Sequence, residues 1–266
     1  MMTTIYSFAI PETPSRGPSP LAGEAIAAAK TYLKHADRLR YSYGSRTFLS
    51  GYDLFDPENG RGYIDCSTFL LLVLAGVSYE ESPYARGTAE GLSVNPVPWA
   101  ERELADFSRL PRSYLGIAER IGRPYLAGPK GLDLAKAEAM GISVETLGEE
   151  IRASGAVRRS VQIARFYLER GRCFSDPEFL SPGDLAFYLS AGSFSEGERR
   201  YPAAADVVHV GIVSEDPAQM IHSSASRSGP AGEDPAGVAL SPVFGSRTPA
   251  FFARPGYGAP EPGTET

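Results

Sequence analysis

Residues 64–78 read Ile-Asp-Cys-Ser-Thr-Phe-Leu-Leu-Leu-Val-Leu-Ala-Gly-Val-Ser, and this stretch predicts a buried helix around which the rest of the chain is arranged. Asp65 is expected to cap the helix, because its carboxylate can accept hydrogen bonds from the free amides of the first turn. Cys66 then opens the helix, where the positive end of the helix dipole lowers the pKa of a thiol. The residue is therefore a candidate nucleophile, although an inert buried cysteine is the simpler alternative.

Two of the chain's three histidines lie close together in its C-terminal half. His209 begins His-Val-Gly-Ile-Val, His222 ends Met-Ile-His, and the turn Asp216-Pro217 lies between them. This pattern predicts two neighbouring antiparallel strands that present both imidazoles on one side. A nucleophilic thiolate needs a base, and the base needs a partner that fixes its tautomer. Cys66, His209 and His222 can fill these three places, while the alternative for each histidine is a structural role in a core strand.

The composition is that of an ordinary globular protein with a sizeable core: of 266 residues, 42% are hydrophobic and 22% are charged. The net charge is −6, and no run of Lys or Arg is longer than two residues. No nucleic-acid partner is expected, because phosphate binding requires a basic surface. The longest apolar run, residues 69–77, is about half the length of a membrane span, so no membrane partner is expected either.

The chain carries two cysteines, which cannot form a disulfide framework in a chain of this length. A bridge between Cys66 and Cys173 would consume the thiol that the surrounding residues are suited to activate. The first residues lack the basic segment, the long apolar segment and the cleavage site of a signal peptide. The sequence therefore favours a cytoplasmic location over export by a non-classical route, and it leaves the oligomeric state open.

The spacing of apolar residues predicts an α+β fold with an insertion in the middle of the chain. Residues 1–20, which are rich in proline, are expected to form an extended arm, and residues 255–266 a flexible tail. The core comprises two segments, 21–80 and 179–254, and residues 81–178 are a mainly helical insertion. Besides a first helix at 21–39 and the Cys66 helix, the core contains predicted strands near residues 185–189, 207–214, 219–223, 238–240 and 251–253.

The clearest helix of the insertion is predicted at residues 156–170. Its apolar face is formed by Val157, Val161, Ala164 and Leu168, and its polar face by Arg158, Arg159, Arg165 and Glu169. Nearer the N-terminus, Tyr41-Ser-Tyr43-Gly leads into the loop that delivers the chain to the Cys66 helix. Aromatic residues on such a loop are well placed to line a cleft, so Tyr41 and Tyr43 are candidate substrate contacts. A loop that merely connects two elements is the alternative.

Four short motifs occur in an order that resembles the NlpC/P60 family of papain-like cysteine peptidases. They are Asp65-Cys66-Ser67-Thr-Phe, Leu180-Ser-Pro-Gly-Asp184-Leu-Ala-Phe-Tyr, His209-Val-Gly-Ile-Val and Met-Ile-His222-Ser-Ser. The upstream Tyr41-Ser-Tyr43-Gly is similar to the aromatic and glycine motif that precedes the nucleophile in this family. Each motif alone is weak, and the resemblance depends on their order along the chain.

The resemblance implies a papain-like core, with the catalytic helix packed on an antiparallel sheet, and a Cys-His-His triad. Cys66 would be the nucleophile, His209 the general base and then acid, and His222 the orienting residue. The backbone amide of Cys66 would contribute to an oxyanion hole. Family members cleave peptide stems of the bacterial cell wall between γ-D-glutamate and a diamino acid, and Asp65, Ser67, Tyr41 and Tyr43 resemble positions that hold such a substrate. No cofactor is implied.

The chain also departs from the family pattern. Cys66 and His209 are 143 positions apart, which is more than compact members use, and the surplus corresponds to the insertion. Ser45 and Thr68 replace two glycines of the family motifs. Three alternatives therefore stay open: an amidase or acyltransferase of the same fold with a substrate outside the cell wall, a binding or regulatory module with an occluded triad, and a partial zinc site.

Overall fold

The computed structural model of the chain describes residues 10–14, 17–41, 55, 60–86, 114–128, 131–154, 159–189, 207–224 and 237–256. The helices within these ranges are α1 (Ala22–Lys34), α2 (Cys66–Leu74), α3 (Pro83–Arg86), α4 (Tyr114–Arg120), α5 (Leu134–Ala139), α6 (Val144–Ser154) and α7 (Arg159–Glu169). The strands are β1 (Leu39–Tyr41), β2 (Gly62–Ile64), β3 (Ala127–Gly128), β4 (Gly131–Leu132), β5 (Cys173–Phe174), β6 (Leu185–Leu189), β7 (Val207–Val213), β8 (Gln219–His222), β9 (Ala239–Pro242) and β10 (Phe251–Ala253). The seven helices of the described residues come before the strands of the main sheet in the chain, and this segregation of helices from strands confirms the predicted α+β class.

Six strands form one antiparallel sheet in the order β5-β10-β6-β7-β8-β9. Strands β6 and β7 lie at its centre, where Phe187 pairs with Val210. Ile212 of β7 pairs with Ile221 of β8, and β9 closes the edge beyond β8. The strand predictions from residue 185 onward are therefore confirmed. Two smaller pairs complete the β-structure: β1 with β2 in parallel, and the hairpin of β3 with β4.

Helix α2 is buried along its whole length, as an apolar run without a polar face requires. The carboxylate of Asp65 accepts the backbone amide of Thr68 at 2.6 Å, which confirms the predicted cap. At the other end, Gly76 has a φ of +69° and its amide donates to the carbonyl of Val73. Glycine adopts this left-handed conformation without strain, and the chain therefore turns away sharply after the helix.

Two helices and two strands enclose α2: α1 and α7 pack against it, and so do β7 and β8. The ring of Phe69 on α2 meets Tyr32 of α1 edge to face, with centroids 5.7 Å apart. On the other side, Ser160 at the start of α7 donates its hydroxyl to the carbonyl of Val207 at 2.6 Å. Helix α7 thereby fixes the first residue of β7 against the core.

The last part of the predicted insertion packs with the core. Helix α7 lies on β7, and strand β5 pairs with β10 in the main sheet. The described residues before α7 are mostly helical, in α3 to α6, apart from the small β3–β4 hairpin. The domain limits themselves stay a prediction, and these contacts favour a core that resumes near residue 159 rather than 179.

Both ends of the described chain are attached to the core. The carbonyls of Pro11 and Glu12 accept hydrogen bonds from the backbone that follows β5. Ser19 donates its hydroxyl to the carbonyl of Pro255 at 2.7 Å, and Pro255 and Gly256 are both buried. The first two residues of the predicted tail therefore pack on the core, and residues 257–266 lie outside the described ranges. Of the helices described here, none is both long enough and apolar enough to span a bilayer.

Candidate active site

The parallel pair of β1 and β2 brings Tyr41 to the turn that carries the nucleophile. Tyr41 pairs with Ile64, the residue directly before the Asp65 cap, and it is half-buried there. The structure thus pairs one of the two predicted tyrosines with a residue two positions before Cys66. Tyr43 lies outside the described residues, and substrate contact by either tyrosine stays a prediction.

Asp65 and Ser67 are buried and bonded to each other. The Ser67 hydroxyl donates to Asp65 Oδ1 at 2.8 Å, and the same oxygen accepts the amide of Thr68. These bonds hold the first turn of α2 in place, so both residues have a structural role. Their predicted contact with a substrate would be a second role and stays a prediction.

The thiol of Cys66 is 6% exposed and lies against the backbone amides of Val210 and Ser67. Burial raises the pKa of this thiol to about 12, and the Asp65 carboxylate acts in the same direction. The two amides and the guanidinium of Arg159 oppose that rise. The expectation of a lowered pKa was therefore wrong, because a helix dipole contributes about 0.3–1 kcal/mol while full burial can shift a pKa by 3–5 units, each about 1.4 kcal/mol.

The two predicted histidines meet as the hairpin pattern indicated. His209 Nε2 and His222 Nδ1 are 2.6 Å apart, and the rings are nearly perpendicular. The other nitrogen of His222, Nε2, lies 3.0 Å from the hydroxyl oxygen of Ser241 on β9. Three neighbouring strands therefore contribute one side chain each to a continuous hydrogen-bonded chain. Burial lowers the pKa of both histidines, so both imidazoles are neutral near pH 7.

If His209 acts as a base, these contacts are consistent with one arrangement of protons on the two imidazoles. Its Nε2–H donates to the lone pair of His222 Nδ1, and His222 Nε2–H donates to Ser241 Oγ. His209 Nδ1 then carries the lone pair that can take a proton from the thiol. In this assignment the hydrogen-bonded chain of His209, His222 and Ser241, here called the histidine relay, holds His209 in the tautomer that a base for the thiol requires.

The start of α2 is held between β7 and β8. Ser223 donates its hydroxyl to the carbonyl of Ile64 at 3.1 Å, while the amide of Val210 faces the Cys66 sulfur. Val210 directly follows His209, and Ser223 directly follows His222, so the next residue after each histidine contacts the start of α2. Within the described residues, no hydrogen bond joins the Cys66 sulfur to either imidazole. Proton transfer therefore requires the thiol and the His209 ring to approach one another.

The glycine of His-Val-Gly-Ile-Val has a steric reason. A Cβ at Gly211 would lie 2.8 Å from the Met220 sulfur and 3.1 Å from Cβ of His222. A side chain at this position would have to displace the Met220 side chain and would crowd His222.

Sequence reasoning missed two residues of the site, Ser241 and Arg159. A strand was predicted near Ser241, but its register opposite Met220 depends on long-range pairing that local spacing does not determine. Arg159 was assigned to the polar face of its helix, yet it is 3% exposed and its Nη1 donates to Thr68 Oγ1 at 3.0 Å. No sequence signal distinguishes it from Arg165, which is exposed on the same helix.

Both cysteines are free thiols. Across the described ranges, no group of three or more His, Cys, Asp or Glu side chains is arranged to hold a metal ion. A scan of protein-family models, a search of curated proteins and a search of solved structures each found no match. A function must therefore be argued from the geometry of the site and from the motifs that form it.

Proposed function

We propose that the protein is a cysteine peptidase of the NlpC/P60 type, which hydrolyses peptidoglycan-derived peptides at the bond between γ-D-glutamate and a diamino acid. The observation that carries this proposal is the hydrogen bond between His209 and His222 on strands whose next residues, Val210 and Ser223, contact the start of α2. The resemblance of the motifs supports the substrate class. A capped helix packed against an antiparallel sheet supports a papain-like core.

The first half of the proposed reaction forms an acyl-enzyme. His209 Nδ1 takes the proton of the Cys66 thiol, and the sulfur attacks the carbonyl carbon of the scissile amide. His222 accepts from His209 Nε2 and stabilises the imidazolium, while Ser241 accepts from His222. When the C–N bond breaks, His209 returns the proton to the leaving amine, and the acyl group remains on sulfur as a thioester.

The second half releases the acyl group to water. His209, neutral again, removes a proton from a water molecule, which attacks the thioester carbonyl and restores the thiol. In both halves the negative charge that develops on the carbonyl oxygen needs donors. The backbone amides of Val210 and Ser67 face the sulfur, and together with that of Cys66 they are the proposed donors.

Cleavage of a defined muropeptide tests the proposal. Wild type and Cys66→Ala are incubated with a peptide that contains the γ-D-glutamyl-diaminopimelate bond, and products are identified by mass spectrometry. Cys173→Ala is the matched control, because Cys173 is also a buried free thiol but lies on β5, away from the histidines. We expect Cys66→Ala to lose about 10³-fold or more of the rate and Cys173→Ala to retain it. Equal products from wild type and Cys66→Ala would contradict the proposal.

The burial of the thiol favours a second candidate, a binding or regulatory module whose triad is at rest. A sulfur with a raised pKa and no bond to an imidazole is poorly prepared to react. Labelling with a neutral thiol reagent across pH separates the two functions. Reaction at Cys66 below pH 8 supports the peptidase, and absence of reaction in the folded protein supports the module. Added amine acceptors in the cleavage assay would reveal acyl transfer as amide products in place of hydrolysis.

A further inference from the structure

Arg159, the first residue of α7, is buried next to the candidate nucleophile. It is 3% exposed, and its Nη1 donates to the hydroxyl of Thr68, two residues after Cys66. Its Nε is buried without a hydrogen-bond partner. A guanidinium has five N–H donors in a fixed plane, so a single bond to a neutral hydroxyl leaves most of its capacity unused.

The charge of Arg159 also lacks a contacting carboxylate. Within the described part of the chain, no Asp or Glu oxygen lies within 4.0 Å of its guanidinium. The nearby Asp65 carboxylate already accepts bonds from Thr68 and Ser67 through Oδ1. Burying a cation is costly unless an anion or hydrogen bonds compensate. The Asp65 carboxylate stabilises the guanidinium without contacting it, and a Cys66 thiolate would add to that stabilisation.

The other ionisable groups around the sulfur cannot supply a permanent positive charge. Asp65, at the start of α2, opposes a thiolate, and Tyr84 on α3 is held neutral by burial. The imidazoles of His209 and His222, on β7 and β8, are disfavoured as cations because they are buried beside each other. An imidazolium would thus be a weak counter-charge in this setting.

We propose that Arg159 is a positioning residue whose fixed positive charge, bonded to Thr68 in the first turn of α2, stabilises the Cys66 thiolate when the thiol ionises. The inference rests on the proposed role of Cys66 as nucleophile. In the step concerned, the S–H bond breaks and the proton passes to His209 Nδ1, while Arg159 exchanges no proton and forms no covalent bond. The guanidinium stabilises the sulfur anion from the moment that the proton leaves it.

The test measures the ionisation of Cys66 directly. In a Cys173→Ala background, the rate of alkylation by iodoacetamide is followed from pH 5 to pH 11 for wild type, Arg159→Met, Arg159→Lys and Arg165→Met. Because the rate below the pKa follows the thiolate fraction, we expect Arg159→Met to raise the pKa of Cys66 by about one unit and to lower the rate about tenfold across the series. Arg159→Lys keeps a charge and should restore most of the rate, and Arg165→Met, on the exposed side of the same helix, should match wild type.

An alkylation rate in folded Arg159→Met equal to that of wild type at every pH would overturn the proposal. Should Arg159→Met fail to fold, Arg159→Gln, which keeps hydrogen-bonding capacity without the charge, takes its place. A rate in Arg159→Gln equal to wild type would overturn the proposal as well. Alkylation requires no peptide substrate, so a failure to cleave muropeptides contradicts only the proposed function.

Discussion

Two arginines are buried among the described residues, and their surroundings differ. Arg254, which follows β10, donates Nε and Nη2 to the two oxygens of Asp184 at 2.8 and 2.7 Å, and Nη2 also reaches the carbonyl of Phe179. Arg159 makes one bond, to a neutral hydroxyl. The first cation is matched by an anion in the same plane, and the second is not.

The difference separates a structural charge from a chemical one. The pair of Arg254 and Asp184 ties the end of β10 to the turn before β6, and its bidentate geometry satisfies both partners. The facing hydrogen-bonding groups of these two side chains are occupied by each other, so neither side chain is available for a reaction. Arg159 lies beside the sulfur that must ionise, and it is compensated best when that reaction begins. Four experiments test this distinction.

The largest expected effect concerns the ion pair of Arg254 and Asp184. Arg254→Met leaves the Asp184 carboxylate buried without its partner, and we expect the free energy of unfolding to fall by about 3–5 kcal/mol. Urea denaturation measures the loss. The double variant with Asp184→Asn should recover part of it, because no uncompensated charge remains. A loss below about 1 kcal/mol would remove the structural half of the comparison.

The next effect comes from acid and should arise at the histidines. Their pKa values are lowered in the folded protein, so the unfolded chain binds more protons as pH falls below about 6.5. Stability is therefore present above that pH and is lost below it, with a slope that approaches about 1.4 kcal/mol per pH unit for each histidine. Urea midpoints at pH 7, 6 and 5 should fall steeply for wild type.

The double variant His209→Asn, His222→Asn should lose most of this slope. His35→Asn is the control, since His35 lies at the end of α1 and stacks on Tyr79, away from β7 and β8. Equal slopes in wild type and the double variant would show that other groups cause the acid loss.

Substitution of Arg159 should reduce activity more than it reduces stability. We expect Arg159→Met to change the free energy of unfolding by less than about 1 kcal/mol, because replacing a poorly compensated buried charge by an apolar side chain is often neutral. Muropeptide cleavage at pH 7 should fall about tenfold, as kcat rather than KM. If Arg159→Met lost as much stability as Arg254→Met, both arginines would have a structural role and the distinction between them would be wrong.

The smallest expected effect is at the end of the histidine relay. Ser241→Ala removes the acceptor of His222 Nε2–H, and a hydrogen bond of this kind contributes about 0.5–1.5 kcal/mol. Cleavage should therefore slow about threefold to tenfold, and Ser241→Thr, which keeps a hydroxyl, should be less affected. If Ser241→Ala matches wild type in rate at every pH, the tautomer of His222 is fixed by other contacts.

The parts of the site that depend on local spacing were predictable. Asp65 and the apolar run after it specify a capped, buried helix, and the turn between His209 and His222 specifies a hairpin. The expected meeting of the two imidazoles requires only that the strands pair.

The parts that depend on distant packing were not predictable. Arg159 lies 91 positions from its partner Thr68, and helical periodicity assigns a residue to a face without saying which element covers that face. The prediction of a lowered pKa for Cys66 was wrong for a related reason. The helix dipole follows from sequence position alone, whereas the burial that outweighs it depends on Val210 and the strands around it.

The long segment between α2 and α7 is anchored on both sides of the nucleophile. Tyr84 at its beginning donates to the carbonyl of Tyr63 at 2.8 Å, and Arg159 at its end bonds to Thr68. The two attachment points bracket Cys66 in the chain. Insertions or deletions between the two attachment points should therefore leave the position of the sulfur unchanged.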